Sequence, residues 1–250
     1  MRLAVVIPAY NEVELLPLLF ERVVSTPTPI DPVTDMHIER RIVLVDDGSK
    51  DGTAEVVKTL AERPEVLAVL HKRNSGKGAA LRSGFRAALQ DGADLILVQD
   101  ADLEYDPADH DAVLAPILDG RADVVIGSRF IGQTHRVLYY WHSVANRAIT
   151  TLSNALTNLN LTDIECCFKA FTRDVVERLE LRENRFGVEP ELVAKVSRMK
   201  LPTGEGAPRA ARVYEVAVGY SGRTYDEGKK ITWRDGFSAV RAIVEHNLLR

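Results

Sequence analysis

Five continuous apolar runs, "RLAVVIP", "RIVLVDD", "EVLAVLH", "DLILVQD" and "ADVVIGS", recur through the first 128 residues, and stretches of helical spacing at 12–25, 52–61, 77–90 and 107–118 separate them. A strand with one wet face alternates apolar and polar residues, whereas a strand covered on both faces reads as an unbroken apolar block. Blocks alternating with helices therefore predict an α/β fold, with a mostly parallel central sheet and helices on both faces. In such sheets ligands bind outside the carboxyl ends of the strands. Chemistry is thus expected at 8–12, 46–49, 100–106 and 127–129, where the unusual residues cluster. After residue 128 the pattern turns helical around 143–158, 173–180 and 187–199, followed by one strand in "RVYEVAVGY" and a last amphipathic helix. The Pro-rich segment 26–32 reads as a surface excursion. No linker divides the chain, so residues 1–230 are read as one domain and 231–250 as a C-terminal amphipathic helix.

The 250 residues, 46% apolar and 27% charged, suffice for a full core. A net charge of −4 argues against nucleic acid as partner, which usually requires a basic surplus. Cys166 and Cys167 are adjacent, a spacing that suits neither an ordinary disulfide nor a four-ligand zinc site, and they read as small buried hydrophobes in a reducing compartment. The N-terminal apolar run is shorter than a signal peptide, and no stretch approaches the roughly 20 apolar residues of a membrane span. A cytoplasmic location is expected, peripheral to the membrane at most.

In "QDADLEYDP" four acidic residues, Asp100, Asp102, Glu104 and Asp106, fall within seven positions. Their mutual repulsion is unfavourable unless something positive joins them. Asp100 and Asp102, at i and i+2 on leaving a strand, point the same way and can converge on a hard cation such as Mg2+ or Mn2+. The similarly spaced Asp109 and Asp111 fall in a helical pattern that turns them apart, and they read as solvated surface. "VLVDDGSKDGT" holds paired acids at a strand tip. It serves equally as a turn with an N-cap or as a site where Asp47 receives hydrogen bonds from a base or ribose. "NSGKGAALRSGF" approaches a dinucleotide fingerprint but has Leu81 where the third glycine belongs. Its glycines are better explained as a tight entry to a helix whose start lies near an anion.

"VVIPAYNE", "LVDDGSKDGT", "NSGKGAALRSGF", "QDADLEYDP" and "IGSRF", in that order, resemble the family 2 glycosyltransferases of GT-A fold, and the nearest branch resembles the polyprenyl-phosphate sugar transferases. The likeness extends through "DIECCFKAF", "NRFGVEPELVAKV" and "GYSGRTYDEGKKITWRDGF". It implies an inverting, metal-dependent enzyme that moves a hexose from a UDP- or GDP-linked sugar to a lipid phosphate. By position it implies Pro8, Ala9, Tyr10, Glu12, Val45 and Asp47 around the nucleoside, with Lys77 and Ala101 also on the donor. It implies Asp100 and Asp102, with Glu104 as a third ligand, for Mg2+ or Mn2+. Arg129 would lie near the phosphates, and Arg223 and Lys229 would close over the diphosphate. Arg136 and His142 are acceptor-side candidates only. "NSGKGAALR" looks more like the glucose-transferring relatives, which favours UDP-glucose. Relatives often continue into membrane-spanning helices, and none is expected here.

A lipid phosphate needs no strong general base, whereas a hydroxyl acceptor does, with Asp163 or Glu165 the best candidates. A non-catalytic nucleotide-sugar binding module is the rival from another class. Trp233, Phe237, Val240, Val244 and Leu248 form one stripe on the last helix. The simpler reading packs that stripe on the sheet; the other lays it on a membrane surface, flanked by Lys229, Lys230, Arg234, Arg241 and Arg250.

Overall fold

The computed structural model describes residues 1–132, 136, 139–204, 206–223 and 233–249, the side chains of 233–235 excepted. The first half follows the expected alternation: β1 (Arg2–Ala9), α1 (Leu15–Ser25), β2 (Glu39–Asp46), α2 (Thr53–Leu60), β3 (Val66–Leu70), α3 (Lys77–Gln90), β4 (Leu95–Val98), a short 3-10 turn (Pro107–Asp109), α4 (His110–Leu118) and β5 (Val124–Ser128). Then come α5 (Tyr140–Thr157), β6 (Lys169–Thr172), α6 (Arg173–Arg178), α7 (Val188–Arg198), β7 (Lys200–Leu201), β8 (Arg209–Ala210), β9 (Val213–Ala217) and α8 (Trp233–Val244), which widens into a π turn over Glu245–Leu249.

The main sheet has the order β3-β2-β1-β4-β6-β5-β9, and β7 and β8 form a separate two-stranded ribbon. Strand residues alternate between two cores. Ala4, Val6, Val43, Val45, Ile96 and Val98 face α3, α6 and α7, while Leu3, Val5, Ile7, Ile42, Leu44, Leu95 and Leu97 face α1, α2 and α4. Both faces are dry, which is why the strands are unbroken apolar blocks.

Three expectations are corrected. The stretch 169–172 was not expected to be a strand. It is β6, antiparallel to both β4 and β5 in the middle of the sheet. Four residues carrying a lysine give no apolar block, and Lys169 is tolerated there because its ammonium pairs with Glu189 inside the fold. The stripe on α8 does not pack on the sheet: Phe237 is 71% exposed and Leu248 63%, while Ala239, Ala242, Ile243 and His246 form the buried side. Asp109 is not simply solvated, because its carboxylate accepts the Gly219 N–H at 2.7 Å. Asp111 is exposed as expected.

The glycines of "NSGKG" are required by a close backbone approach. Gly76 has φ +97°, and a Cβ there would meet the Asn184 carbonyl oxygen at 2.3 Å; at Gly78 it would lie 2.1 Å from that of Glu183. Neither carbonyl can retreat without moving the segment that leads into α7. Gly78→Ala should therefore destabilise the protein by about 3 kcal/mol, at the upper end of the cost of overpacking. Urea denaturation followed by circular dichroism checks this, and an unchanged midpoint would mean that the 183–184 segment yields.

Candidate active site

The exits of β1, β2 and β4 and the start of α3 meet at one end of the sheet. Asn11, at φ 52°, turns the chain out of β1. Its N–H donates to Ser49 Oγ at 2.9 Å and its side-chain oxygen accepts the Lys50 N–H at 2.9 Å. The Glu12 N–H donates to Thr53 Oγ1 at 2.9 Å, so the two exits are pinned together. Pro8, Ala9 and Tyr10 line this exit, and Val45 is fully buried behind it. Asp46 accepts N–H bonds from Gly48 and Ser49, and Asp51 caps α2 by accepting the Thr53 N–H at 3.0 Å. Much of "DDGSKDGT" is thus turn and cap chemistry.

Asp47 accepts the N–H groups of Ser75 at 3.0 Å and Gly76 at 2.6 Å, and His71 Nδ1 lies 2.7 Å away. His71 Nε2 lies 2.8 Å from Ser83 Oγ. The anion expected at the start of α3 is therefore present in the protein itself.

Beyond β4, the carboxylates share two cations, Lys77 and Arg223. Lys77 Nζ lies 2.8 Å from Asp100 and 3.2 Å from Glu189, which also receives Lys169. Arg223 Nη2 lies 2.8 Å from Asp102 and 3.6 Å from Glu12, and its Nε is 3.2 Å from Glu104. Glu104 further accepts the Arg223 N–H at 3.0 Å and the Tyr220 hydroxyl at 2.9 Å. Burial works to raise the Asp100 carboxyl, but the Lys77 ammonium overrides it and holds the group below its ordinary value. Asp102 is pushed up to about 7 by burial and by the charges of Asp100 and Glu104, against the pull of Arg223. Leu103, between these two acids, has φ 62°, a conformation that costs a branched L-residue roughly 1–2 kcal/mol. Ala101 is buried under the loop.

Among the described residues no three His, Cys, Asp or Glu side chains converge as a ready-made metal cage. The donors present fit the other common arrangement, in which one or two carboxylates hold Mg2+ or Mn2+ and substrate phosphates complete the shell.

At the exit of β5, Arg129 Nε and Nη2 donate to the two oxygens of Asp163 at 2.6 and 2.8 Å, and the Asn146 amide donates to Asp163 at 3.2 Å. The Arg129 guanidinium also lies 5.1 Å from the centre of the Tyr220 ring. Asp163 is fully engaged as this arginine's anchor. Glu165 is not: its Oε1 is sealed from solvent with no hydrogen-bond partner, and burial followed by the charge of Glu189 raises its carboxyl to about 7. The Arg136 N–H donates to the Tyr220 carbonyl at 2.9 Å and its guanidinium to that of Gly222 at 3.3 Å. His142 is exposed on the first turn of α5. Lys229 lies outside the described residues.

The structure therefore gathers Glu12, Lys77, Asp100, Asp102, Glu104 and Arg223 into one network, with Arg129 anchored apart on Asp163. It adds residues that were not singled out from the sequence: His71, Asn146, Lys169, Glu189 and Tyr220. The quoted segment "NRFGVEPELVAKV" contained Glu189, but only the fold shows that it meets Lys77.

Residues 4–180 match the family model described as glycosyl transferase family 2. The chain is 34% identical over 183 residues to polyprenol monophosphomannose synthase of Mycolicibacterium smegmatis, covering 72% of this chain and 65% of that protein. It is 28% identical over 240 residues to undecaprenyl-phosphate mannosyltransferase of Micrococcus luteus, covering 92% and 87%. It is 33% identical over 180 residues to undecaprenyl-phosphate 4-deoxy-4-formamido-L-arabinose transferase of Photorhabdus laumondii, where it spans 51% of the relative's length and the match takes in 71% of this chain. Among solved structures, glucosyl-3-phosphoglycerate synthase of Mycobacterium tuberculosis, in complex with Mn2+, UDP and glucosyl-3-phosphoglycerate, superposes with a TM-score of 0.67 at 18% identity, covering 98% of this chain and 80% of that one. The fold is GT-A.

Two outcomes follow from the electrostatics. Asp102→Asn removes one of three crowded acids, so apoprotein melting should hold or rise while Mn2+ binding in the presence of nucleotide is lost; a large drop in apo stability with metal affinity unchanged would make the cluster structural. Glu165 differs in sign from a paired acid. Its folded value of about 7 lies above its ordinary 4.5, so the folded state binds its proton more tightly. Wild-type stability should fall relative to Glu165→Gln as pH rises from about 4.5 to 7, by on the order of 3 kcal/mol, and the gap should stay constant above that. Melting curves of both proteins from pH 4 to 8.5 measure it.

Proposed function

The chain belongs to glycosyl transferase family 2, and on that premise we propose that it transfers a hexose from a UDP- or GDP-linked donor to a polyprenyl or related lipid phosphate, with inversion. The observation that carries this reading is the pairing of Asp100 with Lys77 and of Asp102 with Arg223 at the carboxyl end of β4. Carboxylates and cations sit in alternation there, so a divalent ion and a diphosphate could be taken up together, each replacing one internal partner.

The nucleoside is assigned to the β1 and β2 exits, against Pro8, Ala9, Tyr10, Glu12 and Val45, with Asp47 beside them. Asp100 and Asp102, with Glu104 in the same loop, would hold Mg2+ or Mn2+, whose chemistry is charge stabilisation on the departing diphosphate. Lys77 and Arg223 supply fixed positive charge to the same leaving group, where charge grows in the transition state. Lys229 is assigned to this side by resemblance alone. A phosphate monoester with a second pKa of about 6 is largely dianionic at pH 7, so the acceptor attacks the anomeric carbon without a protein base. Asp163, with both oxygens on Arg129 and Asn146, suits the positioning of that arginine near the phosphates.

The apolar surfaces support a lipid acceptor. Tyr140, Trp141 and Val144 are exposed on the first turns of α5, which follows the loop that leaves Arg129. Phe237, Val240 and Leu248 are exposed on α8, which packs against α5. No helix among the described residues is long and apolar enough to cross a membrane. A hydroxyl acceptor is the second reading, favoured by the raised carboxyl of Glu165.

Calorimetry with UDP and GDP, followed by transfer assays of the matching nucleotide-sugars onto undecaprenyl and dolichyl phosphate, tests the reaction. Glu165→Gln should retain turnover on lipid phosphate; loss of turnover with donor binding intact would move the acceptor to a hydroxyl. Arg223→Gln should weaken nucleoside diphosphate binding by about 1–3 kcal/mol, the range for charge-assisted hydrogen bonds. Phe237→Ser with Val240→Ser should leave melting unchanged, because both side chains are exposed, and should reduce co-sedimentation with vesicles. Equal sedimentation would remove α8 from the membrane contact.

A further inference from the structure

Away from the β4 loop, positive charge concentrates in one concave place. Edge strand β3 ends at Leu70, and beyond it the segment 71–75 and the outward face of α3 border an open, shallow cleft of about 500 Å3. His71, Lys72, Arg73, Arg82 and Arg86 line it together with the Ser83 hydroxyl, and no Asp or Glu does. In a chain of net charge −4 that is a marked local excess. Arg41, Arg129, Arg212 and Arg223 each meet a carboxylate at 2.6 to 3.1 Å. Lys72, Arg73 and Arg86 make no ion pair among the described residues.

Arg82 is held from behind, since its Nη1 donates to the Glu183 carbonyl at 2.6 Å and its other terminal nitrogen to the Asn184 side chain. A fixed guanidinium flanked by exposed cations, with no acid among them, is unfavourable in isolation, because the like charges repel. It becomes favourable when a multiply charged anion enters. A single carboxylate would leave most of this charge uncompensated. A phosphate dianion, with several acceptor oxygens, answers several donors at once.

We propose that this cleft binds a phosphate group at a site separate from the sugar donor's. Its wall is shared with the donor side: His71 spans from Asp47, at 2.7 Å, to Ser83, at 2.8 Å. Neither Asp47 nor the β4 carboxylates line the cleft. The phosphate could be carried by a free anion or by the head group of an anionic lipid. The chemistry of recognition is the same, and the experiment separates the two.

The test uses the full chain in EDTA, so that no divalent ion bridges phosphate to Asp100 or Asp102. Inorganic phosphate is titrated by calorimetry at low ionic strength into wild type, into Arg73→Gln/Arg86→Gln, and into Lys50→Gln/Lys58→Gln, which removes equal charge elsewhere. In parallel, the three proteins are sedimented with vesicles of phosphatidylcholine with and without phosphatidic acid. One saturable phosphate site, weakened at least tenfold in the cleft variant and not in the control, supports the proposal with a free anion as occupant. Loss of phosphatidic acid-dependent sedimentation in the cleft variant alone supports it with a head group as occupant. The proposal is overturned if neither probe separates the cleft variant from the control. It is also overturned if phosphate displaces nucleoside diphosphate from the Mn2+-loaded protein, because the cations would then belong to the donor site. Melting curves of all three proteins verify the fold, which these exposed side chains should not affect.

Discussion

Lys77 with Asp100 and Arg223 with Asp102 are the two contacts on which the rest of this end of the molecule depends. An acidic loop at the edge of a hydrophobic sheet is tolerable only if it is neutralised, since burial and mutual repulsion both disfavour the charged carboxylates. The protein supplies the neutralising charge from distant parts of the chain. Lys77 comes from the first turn of α3 and Arg223 from the segment after β9. Glu189, from the start of α7, balances Lys77 and Lys169 together. One carboxylate between two buried lysines leaves the group net positive, and Asp100 supplies the second negative charge. Removal of Glu189 or Lys169 would strand a buried charge, which typically costs far more than the pair itself contributes.

These charges are held by backbone, and the backbone explains residues that otherwise look like nucleotide-binding motifs. Asp47 takes the N–H groups of Ser75 and Gly76 just ahead of α3, so a carboxylate within the chain already sits at that helix start. The glycines at 76 and 78 let the 183–184 backbone lie against the same turn, and that backbone leads directly into α7 and Glu189. Leu103 is held in a left-handed conformation at the loop where Asp102 and Glu104 meet Arg223. Strain of this kind persists only where the surroundings over-determine it. Here they do, through Tyr220, Ser221 and Arg223, which all bond to Glu104.

The strands and α3 were legible because burial on both sheet faces leaves an unbroken apolar signature, and α3 runs over the expected residues 77–90. β6 was not legible, because it has four residues and carries a charge whose partner, Glu189, is 20 residues away. The acidic cluster was legible as a site, but its internal cations were not: Arg223 lies 121 residues from Asp102, and no local pattern encodes that pairing. The same limit hid the anchoring of Arg129 on Asp163, which left Asp163 standing as a possible base. On α8 Phe237, Val240 and Leu248 of the stripe do share an exposed side, but periodicity says only that one face is apolar and cannot say which face finds a partner. Small residues, Ala239 and Ala242, allow close packing on the opposite side and leave the larger ones outside.

That inversion of α8 ties the apolar surface to the charged network. Arg198, at the end of α7, donates to the carbonyls of His246 at 2.9 Å and Asn247 at 2.7 Å, so the π turn that ends α8 is fastened to α7. His246 is buried 3.5 Å from Glu183 and 3.7 Å from Glu191, beside the backbone that packs on Gly78. The helix that presents Phe237, Val240 and Leu248 outward is therefore mounted on α7, whose other end delivers Glu189 to Lys77. An apolar face on a flexible tail could meet a lipid in many orientations. Mounted on α7, the face is held in a fixed relation to the β4 loop, so the membrane contact proposed above would set the position of that loop over the surface. An acceptor whose phosphate projects a short distance from its hydrocarbon demands that constraint, and a freely diffusing sugar hydroxyl would not.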